Sequence, residues 1–252
     1  MTKKILLSSL IIIAVLLFSK DGQTRQFESI FGIDNNFLQI QDVDIEQGFC
    51  LYKDYANLNY DFGIMPVRIG WGVMHNMEIG VKIPYIFVEN NDNGFGDISI
   101  YQKFKFIEEA GKTPVLSGGL ELNFPTGSVS GIKQYDNKKL DIKLFASAGK
   151  DFPNFRLFGS TGINFLNAGD NTAIEYDAGI NFSISKKLKV AAELTGIRVS
   201  ESADFGFKTQ SYFSPGLIFD SEKNLVLKLA VPIGLSSKSG DCGINFSLTH
   251  SF

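Results

Sequence analysis

The segment TAIEYDAGINFSIS, residues 172–185, changes side-chain character at every step. Ile174, Tyr176, Ala178, Ile180, Phe182 and Ile184 fall on one face, and Glu175, Asp177, Gly179, Asn181 and Ser183 on the other. A period of two is the signature of a strand, with successive side chains on opposite faces. The rhythm recurs along the chain. NGFGDISIYQKFKF sets Ile98, Ile100, Gln102, Phe104 and Phe106 against Asp97, Ser99, Tyr101, Lys103 and Lys105. KLDIKLFASAGK and NLVLKLAVPIGL behave the same way, and weaker versions cover 45–52, 59–73, 77–88, 114–124, 155–166, 188–199, 210–219 and 242–252. The pattern predicts an all-β chain of about twelve strands.

A soluble sandwich also alternates, but its strands average about five or six residues. These runs extend over roughly 9–14 residues, the length a tilted strand needs to cross a bilayer. Connections also alternate in length. HN, EEAGK, DFPN, SKK and DSEKN are short, whereas KDYAN, ENNDNG, PTGSVSGIKQYDNKK, NAGDN, SESADFGFKTQ and SSKSGD are mostly longer. Short turns at one end and longer loops at the other are the pattern of bacterial outer-membrane barrels. A transmembrane antiparallel up-and-down β-barrel follows, with the apolar set facing lipid. Tyr85, Phe87, Phe106, Phe124, Phe155, Phe219, Phe252 and Trp71 lie near strand ends, where interfacial aromatic girdles sit.

Lys3 and Lys4 precede an apolar run from Ile5 to Phe18, and the polar SKDGQT follows. That order reads as a secretory signal peptide over 1–24. Residues 25–44 are expected to form an N-terminal periplasmic segment, and 45–252 the barrel. The last strand, GINFSLTHSF, carries Ile244, Phe246, Leu248 and Phe252 on one face. Its terminal aromatic resembles the signal read by outer-membrane assembly machinery, an expected partner alongside the lipid bilayer.

The net charge of −3 gives no basis for a nucleic-acid partner. Cys50 and Cys242 are far apart in sequence and provide no disulfide framework, although an oxidising compartment would allow them to pair.

The segments GFGDISIYQKFKF and PVLSGGLELNFPTGS resemble the paired strands of the outer-membrane family named for the meta-pathway of phenol degradation. The matching residues are Gly94, Gly96, Asp97, Lys103 and Phe104, then Pro125, Thr126 and Gly127; MEIGVKIPY at Met77–Tyr85 also fits. The family's usual lysine-tyrosine pair is here Lys103-Phe104. The resemblance implies a barrel of about twelve strands that carries small, often hydrophobic, compounds.

Residues for chemistry are sparse. His75 falls in a tight turn, and His250 lies on the lipid-facing register of the last strand. Neither is placed beside a serine, as a Ser-His nucleophile requires. No G-x-S-x-G, H-E-x-x-H or metal-spaced Cys/His cluster occurs, and no cofactor is expected. DNGFGD reads as a turn before it reads as a calcium loop. The charged residues are the better candidates. Asp97, Tyr101, Lys103, Lys105, Glu121, Asp141, Lys143, Arg156, Glu175, Asp177, Lys189, Glu193 and Lys228 project inward by parity, with Glu46, Asp61, Arg68, Glu78 and Lys82 beside them. They would either brace the interior as ion pairs or set the selectivity of a polar path.

Two readings follow. One is a passive outer-membrane channel for small molecules, hydrophobic or aromatic ones included, with entry gated by loops 126–138 and 200–209. The other is a closed structural or adhesion barrel that works through its external loops. A bulge near Met65–Pro66 or Gly196–Ile197 would reverse the facing of residues beyond it.

Overall fold

The computed structural model describes residues 38–53, 61–88, 93–129, 139–169, 171–200, 209–221, 224–237 and 239–252. The strands are β1 (Val43–Lys53), β2 (Phe62–Met74), β3 (Met77–Val88), β4 (Gly94–Phe95), β5 (Ile98–Ile107), β6 (Val115–Phe124) and β7 (Asp141–Asp151), then β8 (Phe155–Leu166), β9 (Asn171–Ser183), β10 (Leu188–Val199), β11 (Thr209–Asp220), β12 (Leu225–Ala230), β13 (Ile233–Gly234) and β14 (Cys242–Ser251). Neighbours in sequence pair antiparallel, and β1 pairs with β14 from Asp44↔Ser251 to Lys53↔Cys242. The sheet therefore closes into a barrel of twelve long strands, with β4 and β13 as two-residue extensions. Closure leaves no unpaired edge, the condition for strands to span hydrocarbon.

The alternation maps onto the two surfaces. On β5, Ser99, Tyr101 and Lys103 are buried inside, whereas Ile100 and Phe106 are exposed outward. On β9, Asp177 and Asn181 point in, and Ile174, Tyr176 and Phe182 point out. A charge on the lipid face costs about 2–4 kcal/mol at mid-membrane, so the charges go to the interior. Several inner rings lie flat against the wall. Tyr101, Phe145 and Phe158 cover the glycines directly across the ladder, Gly80, Gly119 and Gly179, where a Cβ would collide with the ring.

The irregularities differ from the sequence expectation. No register shift occurs at Met65–Pro66 or Gly196–Ile197; the shifts fall at Gly72/Met74 and Lys105/Ile107. A further one-residue slip separates the β3–β4 pair Tyr85↔Phe95 from the β3–β5 pair Lys82↔Ser99, so Gly96–Asp97 forms a bulge. The long last-but-one strand breaks at Pro232. Proline has no N–H for the ladder, so β12 stops at Ala230 and β13 resumes at Ile233 in the same register. The barrel begins at Val43, ahead of the expected position 45, because Asp44 already pairs on both sides. Cys50 faces inward, its Sγ 3.2 Å from Asn245 Oδ1, while Cys242 has the outward register opposite Lys53. Both cysteines are free. The signal segment and residues 25–37 lie outside the described residues, as do 130–138 and 201–208 of the two expected gating loops.

Candidate functional site

The barrel interior is layered along its axis. The layer nearest the long loops is apolar. Phe62, Ile86, Val88, Leu166, Ala173 and Val199 are all buried, and Val129 from the β6–β7 loop joins them. Tyr52, Ile64 and Ile197 pack against this cluster. Phe62 on β2 and Ile86 on β3 stand half-way round the ring from Ala173 on β9 and Val199 on β10. A cluster holding both pairs spans the bore from wall to wall.

Below it lies a charged belt. Lys82 Nζ is 2.7 Å from Glu121 Oε2, and Lys82 also stands over the Tyr101 ring, 5.5 Å from its centre. Lys143 pairs with Glu175, and the Ser160 hydroxyl donates to Asp177. Further down, Arg68 lies 3.0 Å from Glu46 and 3.8 Å from Glu78. Lys103 reaches Glu78 at 3.2 Å, the Tyr101 hydroxyl donates to Glu78 at 3.0 Å, and Lys228 reaches Glu46 at 3.7 Å. Each of these ion pairs joins strands one or two apart in the ring. They run along the wall, unlike the apolar layer above them. Buried charges need such partners, because an isolated one is far costlier than a paired one.

The short-turn mouth is occupied by residues just before β1. Leu38 is buried there, and its N–H approaches Glu78 Oε2 at 3.5 Å. Gln41 N–H donates to the Gly72 carbonyl at 2.9 Å, and Gly72 N–H to the Asp42 carbonyl at 3.0 Å. The Gln39 carbonyl fills the space a side chain at position 72 would take.

The predicted lining residues sort into three groups. Tyr101, Lys103, Glu121, Asp141, Lys143, Glu175, Asp177, Glu193 and Lys228 lie on inward registers within the strands. Lys105, Arg156 and Lys189 keep that register but stand at the short-turn rim. Lys105 pairs there with Glu108 at 2.9 Å, and Arg156 with Glu109 at 3.0 Å and Asp151 at 2.6 Å. Asp97, expected on the inward face, lies half-buried in the bulge just before β5, where its carboxylate accepts the Gly127 N–H at 2.8 Å. Asp61 is exposed, ahead of β2.

Sequence reasoning missed the apolar layer and Leu38. A signal for the first exists: PYIFV, residues 84–88, is apolar on both faces, so one apolar face must turn inward. Along the described strands, the inward carboxylates Asp44, Glu46, Glu78, Glu121, Asp141, Glu175, Asp177 and Glu193 nearly balance the inward cations Arg68, Lys82, Lys103, Lys105, Lys143, Arg156, Lys189 and Lys228. Among the described residues no group of three His, Cys, Asp or Glu side chains is arranged to hold a metal ion.

Residues 52–251 match the family described as "Putative MetA-pathway of phenol degradation". The chain belongs to this family. No curated protein sequence matches it. Among solved structures, an outer membrane channel from Pseudomonas putida F1 aligns with a TM-score of 0.65 at 12% identity, covering 89% of this chain and 100% of that one. The NanC porin aligns at 0.55 and 9% identity over 83% of this chain and 98% of its own. The KdgM porin, solved with a disordered oligogalacturonate, aligns at 0.55 and 10% identity over 84% and 99%. At such identities the likeness establishes the outer-membrane barrel fold that this family member shares with channels and porins.

Proposed function

We propose that the protein is an outer-membrane channel through which small molecules, hydrophobic or aromatic ones included, pass passively. The observation that carries this reading is the direction of the ion pairs. Among the described residues, Arg68–Glu46, Lys82–Glu121, Lys103–Glu78 and Lys228–Glu46 follow the wall between near-neighbour strands, which is how ion pairs hold a barrel shut while lining its bore. Inward carboxylates along the path favour cations and inward lysines oppose them. In the cell, an exported chain would insert with its short turns toward the periplasm, guided by assembly machinery that reads the outward Ile244, Phe246 and Leu248 of β14.

A lateral exit is the second reading, favoured by a weak seam. Val231 N–H donates to the Pro215 carbonyl and Gly243 N–H to the Pro232 carbonyl, but neither proline can return a bond. Two ladder hydrogen bonds are therefore lost side by side between β11 and β14. An apolar solute leaving there would enter lipid directly.

Planar-bilayer recording of the refolded chain tests both readings. Ohmic steps, with cation preference reduced by Glu193→Gln and enhanced by Lys143→Gln, support the axial path. Silent insertion with uptake of toluene into vesicles, lost when Phe213→Cys and Ile233→Cys in a Cys50→Ser/Cys242→Ser background are oxidised into a staple across the seam, supports lateral exit. Silence in both assays would leave a closed barrel working through its external loops.

A further inference from the structure

The two sequence motifs that carry the family likeness meet in space and clasp one another. Four hydrogen bonds join them, the weakest from the Ser128 hydroxyl to the Phe95 carbonyl at 3.5 Å. Gly127 N–H donates to Asp97 Oδ1 at 2.8 Å, Ile98 N–H to Thr126 Oγ1 at 2.9 Å, and Ser128 N–H to the Phe95 carbonyl at 2.8 Å. The fit admits no bulk: a Cβ on Gly127 would stand 2.9 Å from Asp97 Oδ1, and one on Gly96 would stand 2.8 Å from Ile86 Cδ1. Strand pairing needs none of these contacts. Their effect is to fix the first residues of the β6–β7 loop over the bulge, one residue short of Val129.

Val129 is the consequence. It is 2% exposed and, among the described residues, is the one loop residue in the apolar cluster that crosses the bore. Every other buried member is fixed to a strand at the long-loop end. The loop residue is thus the member able to leave without unmaking the barrel. An apolar constriction of this kind repels water and ions, whereas an uncharged apolar molecule enters it favourably.

We propose that this apolar layer is the docking site for a small uncharged apolar solute, and that Val129 is its gate, held shut by the Asp97–Gly127 clasp and displaced by the solute. The inference rests on the channel reading but adds a site and a moving part. Phe62, Ile86, Ala173 and Val199 would contact the solute from opposite walls. Asp97 and Thr126 act on the solute only through the loop, so they are positioning residues.

Thiol accessibility tests this without requiring passage. Val129→Cys, nearly isosteric, is placed in a Cys50→Ser/Cys242→Ser background and reacted in vesicles with a charged, membrane-impermeant methanethiosulfonate. The buried thiol should react slowly. Saturating toluene should raise the rate by about tenfold or more, as expected when a minor open state becomes the major one. Glucose should leave the rate unchanged. Asp97→Ala should raise the rate without any solute, and Asp97→Asn, which keeps an acceptor for the Gly127 N–H, should restore most of the slow reaction. Asp61→Cys, already exposed, controls for disturbance of the bilayer by toluene. A thiol at 129 that reacts quickly from the outset, or at a rate indifferent to toluene, overturns the proposal. The channel reading is judged separately by conductance and uptake. Passage without a toluene effect would sink the gate and spare the channel; a toluene effect without passage would do the reverse.

Discussion

Glu78 has no exposed surface, yet four groups converge on its carboxylate. Lys103 Nζ lies at 3.2 Å, the Tyr101 hydroxyl at 3.0 Å, Arg68 at 3.8 Å and the Leu38 N–H at 3.5 Å. Lys103 is itself 3% exposed, so neither charge of the closest pair can turn to bulk water for compensation. Buried pairs contribute little net stability, but removing one partner strands the other. Lys103→Met should therefore destabilise the barrel by about 3 kcal/mol, read as a lower urea midpoint for unfolding from lipid vesicles. The double variant Lys103→Met/Glu78→Gln should recover much of the loss, because the stranded charge is gone. A double variant no better than the sum of its singles would mean the two side chains are not coupled.

At the scale of the element, the Glu109 carboxylate links the β5–β6 turn to its neighbour, beside the bond from Lys150 to the Gly111 carbonyl at 2.7 Å. Glu109 accepts Lys150 Nζ at 2.8 Å, the Asp151 N–H at 2.7 Å and Arg156 at 3.0 Å, so it ties its own turn to the β7–β8 turn. Burial works against its ionisation, but the hydrogen bonds from Lys150 and Asp151 and the Arg156 charge outweigh it and hold its pKa below the ordinary 4.5. A lowered carboxylate pKa stabilises the folded state above the unfolded value, and that stability is lost as pH falls through the folded value. The tie should be intact at pH 6 and weaken below about 4.5. Glu109→Gln should lower the unfolding midpoint at pH 6 and flatten its fall between pH 5 and pH 3, measured by urea titration across that range; an unchanged slope would rule Glu109 out as the group responsible. This scale also shows what the sequence can and cannot disclose. The facing of β5, β9 and β12 was legible because a two-residue period leaves only two choices, and lipid forbids one of them. The tie at Glu109 and the clasp at Asp97 were not. Both bind segments far apart in the chain through backbone donors, and alternation carries no mark of a backbone hydrogen bond. The one-residue slip at Gly96–Asp97 also leaves no trace in the alternation. Likewise, inward Phe62 and Val88, and the smaller inward cluster of Ala191, Ile218, Val226 and Ala230, broke the polar-inside assumption where the interior is apolar.

For the whole molecule, these features place two closures on one axis. Val129 and its apolar neighbours cross the bore near the long loops, and Leu38 with Gln39 lies at the short-turn mouth against β2 and β3. The charged belt lies between them, which explains how charged side chains remain buried in a barrel this wide in strand number: each end limits the entry of water. Two obstructions in series behave as resistances that add. If they are comparable, opening one at most halves the total and so raises conductance by no more than about twofold. Gly72→Val opens the lower one, since a side chain at 72 takes the place of the Gln39 carbonyl. The hydrogen bonds between Gly72 and residues 41 and 42 should then fail, and residues 38–42 should leave the mouth. Val129→Ser opens the upper one by making the constriction wettable. Each variant alone should give a modest rise in single-channel conductance in planar bilayers, and the double variant a rise well beyond the product of the two. If Gly72→Val alone gives the full increase, the apolar layer is not a barrier to ions, and residues 38–42 are the only seal.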